Sequence, residues 1–158
     1  MLNCVESWQV SQGTYDAAKT ASGETPLHLL RLRLDPERVS ILNDVLDRTG
    51  AVVVLSTSWR NWPDQDYVSD KMREAGFTGE VVGSTIGWMG PGKSRGDEIR
   101  RWLDDFGERV EAFAILDDSD DVGALTPYLV LTDPVDGLTE AHVPRLLELL
   151  TPPMGVRG

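Results

Sequence analysis

Cysteine is nearly absent from this chain: Cys4 is the only one in 158 residues. An internal disulfide and a cysteine-ligated metal centre are both excluded, and a reducing compartment, the cytoplasm, is the expected location. Histidine is as scarce, and His28 and His142 sit in no recognisable constellation. Basic residues are outnumbered, 15 Lys and Arg against 26 Asp and Glu, for a formal net charge of -11. Binding along a nucleic-acid backbone needs a basic face, so no extended nucleic-acid surface is expected. A phosphorylated small molecule or a nucleotide in a local pocket stays open, because a metal ion and a few Arg side chains invert the sign there. No apolar run approaches the length of a membrane helix, and the N-terminus shows neither the basic flank nor the apolar core of a signal peptide. No membrane partner is expected.

The composition that remains, 41% hydrophobic and 26% charged, is that of a folded domain with a sizeable core. The chain divides into a flap or loop region over 1–34, a core over 35–150 and a tail over 151–158, together one domain. Within the first region His28-Leu29-Leu30-Arg31-Leu32-Arg33-Leu34 alternates apolar and basic residues, as in a half-exposed strand. Asp35 as N-cap, Pro36 at the first position, apolar Val39, Leu42, Val45 and Leu46, and a stop at Gly50 mark a helix. Ala51-Val52-Val53-Val54-Leu55 suits a strand buried on both faces. A second helix is expected over 64–75, closed by Gly76, and a short strand over 80–83. Ser94 with Asp97 forms a capping box for a third helix with core face Ile99, Leu103 and Phe106 and with Trp102 at its edge. Strands follow at 113–116 and 128–131, then a helix capped by Thr139 through Val143, Leu146, Leu147 and Leu150, with His142 facing solvent. Alternating strands and helices predict an α/β fold, a mostly parallel sheet covered on both faces.

Chemistry concentrates where strands end. Ile115-Leu116-Asp117-Asp118-Ser119-Asp120-Asp121 is an apolar run breaking into four carboxylates. Such a turn repels itself unless a cation or strong donors hold it, and a hard cation such as Mg²⁺ does so with carboxylates and phosphate oxygens. A solvated acidic loop is the plain alternative. Ser56-Thr57-Ser58-Trp59-Arg60 follows the apolar strand at the same carboxyl edge, where small hydroxyls, backbone N–H groups and the Arg60 fork suit a phosphate. An ordinary Ser/Thr turn has the same composition. Gly87-Trp88-Met89-Gly90-Pro91-Gly92-Lys93-Ser94 satisfies the phosphate-loop pattern G-x-x-x-x-G-K-[ST], which implies a nucleotide-binding protein as an alternative function. Its place past the middle of the chain, with Ser84-Thr85-Ile86 between strand and loop, counts against that.

Taken in order, these segments resemble the haloacid dehalogenase-like (HAD) phosphohydrolase superfamily. They are most similar to its small phage and bacterial members, related to the phosphatase modules of nucleic-acid end-repair proteins. The likeness runs from about Leu34 to Leu150. Val52-Val53-Val54-Leu55-Ser56 resembles the second family motif, whose hydroxyl contacts the phosphoryl group, and Thr57-Ser58-Trp59-Arg60 continues as in that subgroup. Lys93, with Arg95 as rival, resembles the third motif, whose cation steadies nucleophile and phosphate. Asp117-Asp118 with Asp121 resembles the fourth, which holds Mg²⁺. Leu131-Thr132-Asp133 and Gly137-Leu138-Thr139 also match. The resemblance implies a three-layer Rossmann-like architecture, Mg²⁺ as cofactor and hydrolysis of a phosphomonoester. Ser56 and Lys93 would be catalytic, Thr57, Arg60 and Arg95 substrate-binding, and Asp117, Asp118 and Asp121 metal-binding.

The first family motif, D-x-D-G, is the one departure. Met1-Leu2-Asn3 resembles the residues that follow it, so the nucleophilic and the acid/base Asp are expected upstream of residue 1, on the central strand of the sheet. The chain as numbered is then expected to be inactive, with two inner strand edges left for a partner or self-association to cover. A misassigned start and a pseudoenzyme both accommodate this. A non-enzymatic binding protein that keeps the fold and uses its acidic surface is a further alternative.

Overall fold

The computed structural model describes residues 34–56, 65–85 and 94–152. Helix α1 spans Pro36–Thr49. Asp35 starts it by accepting from the Glu37 N–H at 2.9 Å, and Pro36 occupies a position where no N–H is needed. Gly50 ends it at φ 69, a left-handed conformation that favours glycine, and donates to the Leu46 carbonyl. The buried stripe is Val39, Ile41, Leu42, Val45 and Leu46, one residue wider than the sequence period predicts.

Strand β1 (Val53–Leu55), helix α2 (Gln65–Glu74) and strand β2 (Val81–Ser84) follow, and β1 pairs parallel with β2. Next come α3 (Arg95–Phe106), a 3-10 turn at Gly107–Arg109 and β3 (Ile115–Asp117). A second 3-10 segment, Gly123–Tyr128, leads into β4 (Leu129–Leu131), which pairs parallel with β3 and sets Asp117 beside Leu131. A turn at Glu140–His142 opens into α4 (Val143–Leu150). The α/β class stands, with parallel strands and helices between them. Among the described residues the strands form two two-stranded sheets, β1–β2 and β3–β4, and the expected single sheet is not seen among them.

Apolar burial follows strand alternation. Leu116 and Val130 pack into a large cluster with α1, α2 and α4, while Ile115 and Leu129 join a second cluster with Ile99, Val122 and Leu125. Successive strand residues face opposite ways, so β3–β4 carries apolar packing on both faces. On β1–β2, Leu55, Val53 and Val81 belong to the large cluster, whereas Val52 and Val82 are about half exposed.

Two details correct the sequence expectations. Phe106, expected on the core face of α3, is exposed and leans on Trp102 with ring centroids 5.1 Å apart. Ile99 is the buried apolar anchor of that helix, with Leu103 packed against its cluster, and the helix ends before Phe106 reaches the core. His142, expected to face solvent, is half-buried because its Nδ1 accepts from the Thr139 N–H at 3.0 Å. Among the described residues no helix is long and apolar enough to cross a membrane.

Asn43 fastens α1 to the turn after α2. Its Nδ2 donates to the Gly76 carbonyl at 2.8 Å and its Oδ1 accepts from the Thr78 N–H at 3.0 Å. Asn43→Ala removes both bonds and should cost about 1–3 kcal/mol in urea unfolding. A loss within experimental error would show that water replaces the side chain.

Candidate functional site

Parallel strands deliver their C-terminal ends to a common edge, where open α/β sheets bind ligands. Here β3 ends in Asp117, and Ser56, Thr85 and Thr132 directly follow β1, β2 and β4. Thr85, Asp117 and Thr132 are each only 2% exposed, so three of the five buried polar side chains among the described residues lie at or just past strand ends. Burying polar groups is costly without partners, so their concentration there marks an organised edge. Thr132 N–H donates to the Asp117 carbonyl at 2.8 Å, and Thr85 N–H to that of Leu55 at 2.9 Å. A cavity of about 470 Å³ lies between the two sheets, and Ser56, Thr85 and Asp117 all line it.

Asp117 is the best-held carboxylate. Its Oδ1 accepts from the Ser119 N–H at 3.0 Å, and its Oδ2 takes a charge-assisted hydrogen bond from Arg95 Nη1. Arg95 is the first residue of α3, and its guanidinium is itself mostly buried. The start of α3 is fixed by Ser94, whose hydroxyl accepts from the Asp97 N–H at 3.2 Å while Asp97 accepts from the Ser94 N–H at 3.0 Å. Asp121 completes the join. Its carbonyl accepts from the Gly96 N–H at 3.1 Å, and its carboxylate from the Arg95 N–H at 3.4 Å. The acidic turn thus binds the electropositive end of α3, and the donors supplying charge relief are Arg95 and helix N–H groups. Burial pushes the Asp117 carboxyl above its ordinary value, the Asp118 side chain adds to this, and Arg95 and the Ser119 N–H oppose it.

Of the sequence-predicted site residues, Ser56, Arg95, Asp117, Asp118 and Asp121 are described; Thr57, Arg60 and Lys93 lie outside the described residues, as does the flap over 1–33. The structure gathers Ser56 and Asp117 about one cavity and sets Arg95 on Asp117. It separates the three expected metal ligands in character: Asp117 is buried, Asp118 exposed, and Asp121 turned to α3. Among the described residues no group of three or more His, Cys, Asp or Glu is placed to hold a metal ion. Of the phosphate-loop pattern only Ser94 is described, and its hydroxyl serves as the α3 cap.

Two residues escaped sequence reasoning. Thr85 follows β2 as Ser56 follows β1, so the same strand-end rule applied to 81–85 finds it. Glu98 is 1% exposed on α3 although it stands in a polar stretch, and no local pattern betrays its burial.

The family model described as "HAD domain in Swiss Army Knife RNA repair proteins" matches residues 1–143. No curated protein and no solved structure matches the chain.

Gly96 lets α3 touch the acidic loop. A Cβ there would fall 2.3 Å from the Val122 carbonyl oxygen, a backbone atom with little room to retreat. Gly96→Ala should therefore destabilise by about 1–3 kcal/mol despite alanine's better helix propensity. Asp117 predicts a pH signature. Its folded pKa lies above the ordinary 3.8, so its contribution is fully present below pH 3.8 and is lost as pH rises through the raised value. The stability of the wild-type chain minus that of Asp117→Asn, from denaturant melts, should fall across that window. A rising difference would mean that Arg95 outweighs burial.

Proposed function

The chain belongs to the family of HAD domains found in Swiss Army Knife RNA repair proteins, and from that membership we propose that it forms the phosphate- and metal-binding part of a Mg²⁺-dependent phosphohydrolase. The substrate is a phosphomonoester, either a nucleotide or the end of a nucleic acid, and the sheets with their covering helices are portions of one three-layer fold. The observation that carries this is Asp117, buried at a strand end, lining the same cavity as Ser56 and paired with Arg95.

Each residue has a task in that pocket. The Ser56 hydroxyl donates to a phosphoryl oxygen. Arg95 neutralises charge that builds on the transferring group, an electrostatic contribution usually among the largest in catalysis. Asp117 orients Arg95, and the Ser119 N–H holds Asp117 in turn. The donors near Asp117 are hard oxygens, which suit Mg²⁺ and not softer metals. Asp117 and Asp118 would hold the ion, with Asp121 as outer support, and substrate oxygens would complete its shell. Bound Mg²⁺ supplies positive charge to the phosphate oxygens. In this reading Ser56, Arg95, Asp117, Asp118 and Asp121 bind and orient, and the attacking and proton-donating carboxylates are not among them.

The test compares the 158-residue chain with a polypeptide extended through the upstream in-frame codons, each assayed with Mg²⁺ on an aryl phosphate. The short chain should be inactive. The extended one should be active, sensitive to chelator and abolished by Asp117→Ala. Turnover by the short chain that Asp117→Ala abolishes would sink the incompleteness and require another nucleophile.

A further inference from the structure

One buried hydroxyl at the strand-end edge has no task in the proposed pocket. Thr85 directly follows β2, and its N–H donates to the Leu55 carbonyl at 2.9 Å. It stands one position past the Leu55–Ser84 pair of the parallel register, as Ser56 stands one position past Leu55. The two residues are therefore ladder neighbours on adjacent strands. Every residue over 51–56 lines the cavity, whereas of 81–85 only Thr85 does. β1 screens β2 from the cavity, and Thr85 reaches past its end.

Thr85 is 2% exposed, and its Oγ1 is buried with no hydrogen-bond partner among the described residues. A hydroxyl left in that state is costly, and valine has the same branched shape without it. The direction open to the side chain is the cavity. Leu42, Leu46, Ile99 and Leu146 on its walls offer neither donor nor acceptor. At the strand-end side Asp117 also lines it, but the carboxylate oxygens of Asp117 already accept from Arg95 and from the Ser119 N–H. The partner that fits Thr85 therefore arrives from outside the fold. At so low an exposure the hydroxyl admits a single ligand oxygen and not a ring. That oxygen belongs to a group which also meets Ser56.

We propose that Thr85 is a second phosphoryl-binding hydroxyl, its Oγ1 donating to one non-bridging oxygen of the phosphoryl group while the Ser56 hydroxyl donates to another. This assignment rests on the phosphoryl pocket proposed above and adds a residue to it. Adjacent strands lie about 4.8 Å apart, close enough for two short side chains to share one phosphoryl group. The acceptor oxygens carry negative charge, so the hydrogen bond is stronger than one between neutral groups. Such a donor holds the group without adding another cation beside Arg95. The cost of the unpaired hydroxyl is borne by the free chain and is relieved when the ligand binds. Thr85 thus trades stability of the free chain for affinity, and the two effects of removing its hydroxyl have opposite signs.

The test measures binding of inorganic phosphate to the 158-residue chain in the presence of Mg²⁺ by titration calorimetry, and thermal unfolding without either ligand. Thr85→Val keeps the shape and removes the hydroxyl. It should raise the phosphate Kd about tenfold or more. The melting temperature of the ligand-free variant should be unchanged or up to about 4 °C higher. Thr85→Ser keeps the hydroxyl and should bind phosphate as the wild type does. A melting temperature lowered by Thr85→Val overturns the proposal, because the hydroxyl then has a partner within the fold, a buried water included. Weaker binding of a nucleoside monophosphate with inorganic phosphate unaffected also overturns it, because the contact then lies on the nucleoside. Ser56→Ala separates the assignment from the proposed function. If Ser56→Ala weakens phosphate binding and Thr85→Val does not, the pocket stands and Thr85 is no part of it. If the wild-type chain binds no phosphate, the pocket and the assignment fall together.

Discussion

A carboxylate buried at the end of a strand needs a cation or several donors, and Asp117 determines much of the structure around it by having both. Arg95 reaches it from the first turn of α3, so the ion pair ties that helix to β3. The capping box at Ser94 and the close approach at Gly96 then make sense together. The first starts the helix where Arg95 reaches Asp117, and the second lets the acidic loop lie against the helix end. Unlike the exposed pairs along α1 and α2, such as Arg48–Asp44, Arg73–Asp70 and Lys71–Glu74, it is mostly buried, so removing Arg95 alone would leave an uncompensated buried carboxylate.

The second constraint is that a strand has two edges. Where β1 faces β2, and β3 faces β4, backbone groups are paired and the side chains above and below are packed. Among the described residues, β1 and β3 do not pair and both line the cavity. The polar strand ends and the apolar walls belong to the same opening.

Much was legible beforehand. Asp35, Pro36 and Gly50 are capping signals whose physics is local, and the helix between them came out at the expected bounds. The same holds for Ser94 with Asp97. The strand ends at Ser56 and Asp117 were legible because a β-branched run stopping at a polar residue needs only a buried sheet to explain it. Phe106 and His142 were misjudged because helical periodicity says which residues share a face but not how far a core extends. Glu98 was missed because its burial comes from elements distant in sequence.

Local chemistry in the chain determined the helices, their caps and the residue types at the strand ends, because each depends on neighbours within about four positions. Tertiary structure alone decided that Arg95 pairs with Asp117, that Asp121 accepts from the N–H groups at the start of α3, and that β1 and β3 do not pair among the described residues. These depend on which segments meet in space, and no spacing along the chain encodes the distance between them.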